Sequence, residues 1–271
     1  MDLGVEGKAA LVVGAGADVG RAAALLLAQA GAKVVLAGRR REALEETARQ
    51  VRALGGAAHI APGDLADPEQ VRRIVAESVA AFGRIDLLAN TAGPFPLRGR
   101  TPGGPAPIYA DDESWAEAFD GVFMTAARLM REVVPLMKAQ GSGAVVHLGS
   151  NSARYYKEMT AQFGAMKAAL VHAVKNWARD GAPHGVRVNA VLPGWVRGEQ
   201  IVRRLEQAAG EAGADLAAVE RDMVAGHDNL YWTPRMGRPE EYAEAVVFLL
   251  SARASYINGA LLPVDGGSPV W

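Results

Sequence analysis

The run Gly14-Ala15-Gly16-Ala17-Asp18-Val19-Gly20 directly follows an apolar β-branched segment and opens a helical pattern. Glycines at such a turn let the backbone N–H groups approach a pyrophosphate at the helix N-terminus. The spacing is Gly-x-Gly-x-x-x-Gly, one residue longer than the common dinucleotide fingerprint, and a glycine-rich turn formed for packing is the alternative. Asp18 brings a negative charge to this turn. It would repel a pyrophosphate unless it points away or caps the following helix, and the cap is expected because Asp is a good N-terminal helix residue. A second cluster, Arg39-Arg40-Arg41, follows the next apolar run. An NAD site places a carboxylate there for the ribose 2′-OH. Basic residues at a helix start oppose the macrodipole, which favours a phosphate partner over a merely solvated face. Arg39 and Arg40 thus predict NADP(H) in preference to NAD(H).

Other chemistry is narrowed by what the chain lacks. It has 271 residues and no cysteine, so thiolate catalysis, disulfides and Cys-ligated metal sites are excluded. His227-Asp228 adjacency is no metal pair, no His-x-x-x-His or Glu-x-x-His spacing occurs, and no metal is expected. His147 is read as a hydrogen-bonded strand histidine or, alternatively, a cleft residue, and His172 as a packing or subunit-facing one. The formal charge of −1 argues against nucleic acid or an anionic membrane as partner. With no basic-then-apolar leader and no run approaching ~18 apolar residues, a cytoplasmic protein is expected.

The elements that must position these groups alternate along the chain. Strands are predicted at 9–13, 33–37, 59–61, 85–89, 144–149, 186–191 and 261–264. Helices are predicted at 18–30, 39–54, 67–82, 114–137, 160–180 and 240–250. Asp67 is the expected N-cap of the third helix, with Pro68 at its first position. Such alternation gives an α/β fold: a doubly wound parallel sheet in a three-layer αβα domain spanning 1–271. Two segments, 94–112 (Pro- and Gly-rich) and 195–237, break the rhythm after strand C-termini. Their position marks them as substrate lids rather than tolerated insertions.

Taken together, these residues resemble the short-chain dehydrogenase/reductase family over nearly the whole chain, as a Rossmann-fold member with an atypical site. The resemblance rests on the glycine turn, Asp64-Leu65, Asn90-Thr91-Ala92-Gly93, Ser150, Arg187-Val188-Asn189, Pro193-Gly194, Gly237-Arg238-Pro239-Glu240-Glu241 and Val264-Asp265-Gly266-Gly267. It implies that Gly14, Gly16, Asp18, Val19 and Gly20 face the pyrophosphate. It places Asp64 and Leu65 at the adenine, and Asn90, Ala92, Gly93 and Lys167 along the cofactor cleft. Pro193, Gly194 and Val196 lead past the nicotinamide. Asp18 stands where the family usually has its second glycine, and Gly198 where it usually has a Thr.

The family's usual Asn, Ser, Tyr and Lys fall here on Val122, Ser150, Phe163 and Lys167. Phe163 cannot exchange a proton, and losing a positioned acid costs ~10²–10⁴ in rate. Three readings follow. In one, an activated C=C or C=O group of a small hydrophobic substrate is reduced, with Ser150, Lys167 and a relocated Tyr155 or Tyr156 supporting the oxyanion. Relatives that reduce conjugated C=C bonds also lack a Tyr at this position, and Thr160 marks where some of them carry it. In another, the chain binds the cofactor but performs non-redox chemistry (isomerisation, dehydration or cyclisation). In the last, the chain is a silent homologue. Tyr109 and Trp195 suggest an apolar or aromatic substrate. A homotetramer or homodimer is expected through the helices around Met124, Leu129, Met130 and Val133, and around Ala168, Val171 and Trp177.

Overall fold

The computed structural model describes residues 2–93, 107–154, 161–225 and 232–267. The predicted Tyr155, Tyr156 and Thr160, His227 and Asp228, and most of the 94–112 segment lie outside them. Seven parallel strands form one sheet: β1 (Ala9–Val13), β2 (Lys33–Gly38), β3 (Ala58–Pro62), β4 (Leu87–Asn90), β5 (Gly143–Leu148), β6 (Val186–Pro193) and β7 (Leu261–Val264). Their order is β3-β2-β1-β4-β5-β6-β7, so the winding direction reverses between β1 and β4. Register there pairs Val13 with Asn90, which sets the glycine turn beside the Asn90–Gly93 segment.

Both sheet faces are covered, which explains why the strands are apolar without alternation. Val12, Leu36, Val146 and Val191 pack on one face beneath α1 (Asp18–Gln29), α2 (Arg41–Ala53) and α9 (Pro239–Leu250). Leu11, Val13, Val35, Leu88, Val145 and Val188 form the other core with α3 (Pro68–Phe82), α5 (Thr125–Gln140) and α6 (Ala161–Gly181). Asp67 caps α3 as expected, accepting from the N–H groups of Glu69 and Gln70, with Pro68 first in the helix. β4 begins at Leu87 rather than at 85 because the buried Asp86 carboxylate accepts from Ala9 N–H at 3.0 Å.

Two predicted elements differ. The single helix at 114–137 is two, α4 (Asp112–Ala118) and α5, joined by a wide π turn at Phe119–Met124. The Thr125 hydroxyl donates to Gly121 O (3.1 Å) and Val122 O (3.3 Å), taking up carbonyls that the wider turn misaligns. Within 195–237 lie α7 (Glu199–Ala212) and α8 (Leu216–Ala225). Its two ends are tied by the Val196–Gly237 bridge and by Arg197 N–H donating to Gly237 O at 2.8 Å, and the Arg197 side chain donates to Glu220 of α8 at 2.9 Å.

Four residues of the apolar face expected to make subunit contacts are corrected, while Met124, Ala168 and Trp177 remain partly exposed. Leu129, Met130, Val133 and Val171 are buried in the chain's own core because the long helices lie directly on the sheet. They cannot meet a partner. Phe119, stacked on Phe123 and exposed, lies on the same helical layer and remains open.

Candidate active site

A cleft of about 920 Å³ opens at the carboxyl ends of the strands around the β1/β4 reversal. That is where open parallel sheets bind ligands, because the neighbouring loops turn to opposite faces. Gly14, Gly16, Asp18, Val19 and Gly20 line it, with Arg39 and Arg40 after β2, Asp64 and Leu65 after β3, Ala92 and Gly93 after β4, and Val196 after β6. The glycine turn is a cradle of closely approaching backbone with no room for side chains: a Cβ on Gly20 would lie 2.2 Å from Gly14 O. These residues fit a dinucleotide, with a helix N-terminus at the turn and cations beyond β2.

Four of the expected cofactor residues stand behind the wall. Asn90 is buried; its Oδ1 accepts from Ala92 N–H at 3.3 Å and so shapes the loop. Pro193 ends β6, and Gly194 N–H donates to Val264 O at 3.1 Å. Lys167, only 3% exposed, approaches the cleft beneath Gly93, whose Cβ position would be 3.1 Å from Nζ.

Asp18 departs from expectation. It does not cap α1: the N-cap there is Ala17, with no side-chain bond. Asp18 itself is the first residue of α1 and has φ +44°, a left-handed conformation that glycine adopts freely and Asp tolerates. From there its Oδ1 accepts from Glu199 N–H, at the start of α7, at 2.8 Å.

β5 leads into Ser150 and α6 carries Phe163 and Lys167, the residues expected at the family's catalytic positions, and Val122 comes from the π turn. Lys167 Nζ donates to Leu148 O at 2.7 Å and lies 5.4 Å from the centre of the Phe163 ring. Four residues apart, the two share one face of α6. Burial pulls the Lys167 pKa down from 10.5 to about 8, since the charged form loses hydration. Ser150 Oγ and Ser152 Oγ share a 2.6 Å hydrogen bond, and Ser150 Oγ also accepts from Ser152 N–H at 3.1 Å. Val122 is buried within the π turn and offers no polar group at its position.

His147 is a core residue. Its Nδ1 is 3.1 Å from Asn90 Nδ2, and its ring tilts against Trp177. Burial, and then the nearby Lys167 charge, lower its pKa to about 3, so it stays neutral. His172 is exposed. Thr125, Gln200, Ile201 and Arg204 also line the cleft and were not anticipated. Positions 200, 201 and 204 share one face of α7, a pattern readable only once the start of that helix is known.

The chain matches the model of the Enoyl-(Acyl carrier protein) reductase family over residues 14–268. It is 33% identical over 264 residues to an uncharacterized oxidoreductase, MT0954, of Mycobacterium tuberculosis (strain CDC 1551 / Oshkosh), covering 97% of this chain and 92% of that one. It is 29% identical to 3-oxoacyl-[acyl-carrier-protein] reductase FabG of Thermotoga maritima (97% and 98% covered). Among solved structures, L-sorbose reductase from Gluconobacter frateurii, complexed with NADPH and L-sorbose, superposes with a TM-score of 0.87 at 31% identity, covering 99% and 98% of the two chains. The 7α-hydroxysteroid dehydrogenase complexed with NADH and 7-oxo glycochenodeoxycholic acid gives 0.83 at 27% identity, with 98% and 96% covered. The seven-stranded sheet, the glycine cradle at its switch point and these matches across the whole domain identify the chain as a member of the short-chain dehydrogenase/reductase family, a nicotinamide-dependent oxidoreductase.

Proposed function

We propose that the chain uses NADP(H) to reduce an activated C=C or C=O group of a small hydrophobic substrate. The observation that carries this reading is Phe163 beside Lys167: a cation next to the reacting end of the cleft with no phenol between it and the substrate. Such a site stabilises developing negative charge better than it delivers a proton. Addition to a conjugated C=C bond needs that stabilisation first, because the enolate can take its proton later.

The chain's own residues divide the work as follows. The glycine turn and the α1 N-terminus hold the pyrophosphate, Asp64 and Leu65 flank the adenine, and Asn90, Ala92 and Gly93 shape the wall. Arg39 and Arg40 bind the 2′-phosphate; their exposure at the cleft edge and the lack of any carboxylate at that strand end support NADP(H) over NAD(H). When bound, the nicotinamide supplies the hydride. Lys167 holds the ribose and lends its charge to the site, and the Ser150 hydroxyl turns from Ser152 to the substrate oxygen. Tyr155, Tyr156 or water supplies the proton. Pro193 and Gly194 direct Val196 past the nicotinamide, and Gly198 leaves out the side-chain contact usual there.

Segments 94–112 and 195–237 act as lids on the single domain, with Trp195 offering apolar surface to substrate. A homotetramer or homodimer in the cytoplasm completes the proposal, the exposed Phe119 being a candidate for the subunit contact. The test is a panel of α,β-unsaturated carbonyls and ketones with NADPH. Loss of NADPH absorbance with an unsaturated carbonyl supports the reading. Substrate conversion without NADPH loss overturns it in favour of non-redox chemistry, and tight NADPH binding without turnover in favour of a silent homologue.

A further inference from the structure

Asp18 and Gly198 compete for one volume. A Cβ on Gly198 would lie 2.7 Å from Asp18 Cγ and 2.7 and 2.8 Å from the two carboxylate oxygens. The carboxylate cannot swing aside freely, since Oδ1 holds Glu199 N–H at 2.8 Å. Gly198 is the N-cap residue of α7 and has no side chain with which to cap. Arg21 reinforces the same junction: it donates to Glu199 Oε1 at 3.0 Å and to Gly16 O at 2.7 Å. Asp18 is also the one non-glycine residue with positive φ among the described residues. A strained backbone persists where its surroundings hold it.

We propose that Asp18 is a positioning residue: from the glycine turn it caps α7 and docks that helix against the cleft, so that Gln200, Ile201 and Arg204 become part of the wall. Gly198 is glycine because the carboxylate fills its side-chain space, and the cap is supplied from α1 because Gly198 has none to give. The positive end of α7 offsets the charge of an acidic side chain that would otherwise oppose an anion in the turn. The nucleotide end of the cleft and its α7 wall are thereby formed as a unit. Ligand in one stabilises the other, and the coupling is reciprocal.

Hydrogen exchange of residues 199–212 in the unliganded protein tests this without relying on any ligand or reaction. Asp18→Ala is expected to speed exchange in the first turns of α7 about fivefold or more, the effect of losing a helix cap, while α3 and α5 are unchanged. Asp18→Asn keeps an acceptor oxygen and tolerance of positive φ, and is expected to stay within about twofold of the parent. Gly198→Ala is expected to act like Asp18→Ala, yet to add nothing in an Asp18→Gly background, where the clash is gone and the relieved backbone keeps the protein folded. As a second readout, resting on the dinucleotide reading, the Kd for NADPH is expected to rise in Asp18→Ala and Gly198→Ala. Unchanged α7 exchange in Asp18→Ala, or equal disruption by Gly198→Ala in both backgrounds, would overturn the proposal. Altered exchange with no NADPH binding by the parent would sink the cofactor assignment and leave the positioning role standing.

Discussion

The Lys167 ammonium stands 5.4 Å from the centre of the Phe163 ring, on one face of α6 and above the Leu148 carbonyl it bonds. Replacing Phe163 with Tyr would put an ionisable hydroxyl beside that cation, where its charged form is favoured. Phe163→Tyr is expected to raise ketone reduction by ~10²–10⁴, the usual worth of a positioned acid. Steady-state kinetics with a simple ketone checks this, and no gain would mean that other parts of the carbonyl site are missing as well.

Lys167 is expected to lower the stability of the unliganded protein at neutral pH. Its folded pKa, about 8, is below its ordinary 10.5, so the unfolded chain binds the proton more tightly. Stability should therefore rise as pH increases from about 8 towards 10.5. Lys167→Met should remove that slope and raise Tm at neutral pH by roughly 2–4 °C for each kcal/mol relieved. The same change should weaken NADPH binding. Calorimetry across this window, with parallel NADPH titrations, checks both.

His147 gives a slope of the same sign in a more acidic window. Its folded pKa of about 3 is below its ordinary 6.5. Stability conferred by the neutral ring is complete above 6.5 and is lost as pH falls towards about 3, because the unfolded chain takes up the proton first. His147→Asn should lower Tm at neutral pH and make its decline in acid shallower. A parallel acid slope in parent and variant would contradict this.

Arg39 and Arg40 set cofactor choice in the proposal. The double change to Ala should weaken NADPH by ~10–100-fold, as expected for lost charge-assisted bonds to a phosphate, and leave NADH within about threefold. Fluorescence titration with both cofactors measures the difference. Equal loss for both would assign the arginines to general electrostatics.

Much of the frame was legible in the residues. β1 and β7 fall on their predicted bounds, and the Asp67-Pro68 start of α3 follows from local capping rules. Local sequence carries those signals because the partners lie within a few positions. Asp18 shows where that stops. Its partner Glu199 is 181 residues away, so only the folded topology can prefer it over a local cap. The π turn at Phe119–Met124 was hidden for a related reason, since its apolar pattern continues the helices on either side. Leu129, Met130 and Val133 read from sequence as a partner-facing stripe but are buried in the chain's own core, because periodicity reveals an apolar face and not what covers it.

With Phe163 where a phenol is expected, the chain is proposed still to transfer hydride, and to an activated substrate. The most direct measurement follows NADPH absorbance and product mass together, with an α,β-unsaturated carbonyl and with the matching saturated ketone. One NADPH should be consumed per C=C bond reduced, with the saturated ketone slower by about two orders of magnitude or more. Product formed without NADPH loss, or no turnover while NADPH remains bound, would contradict it.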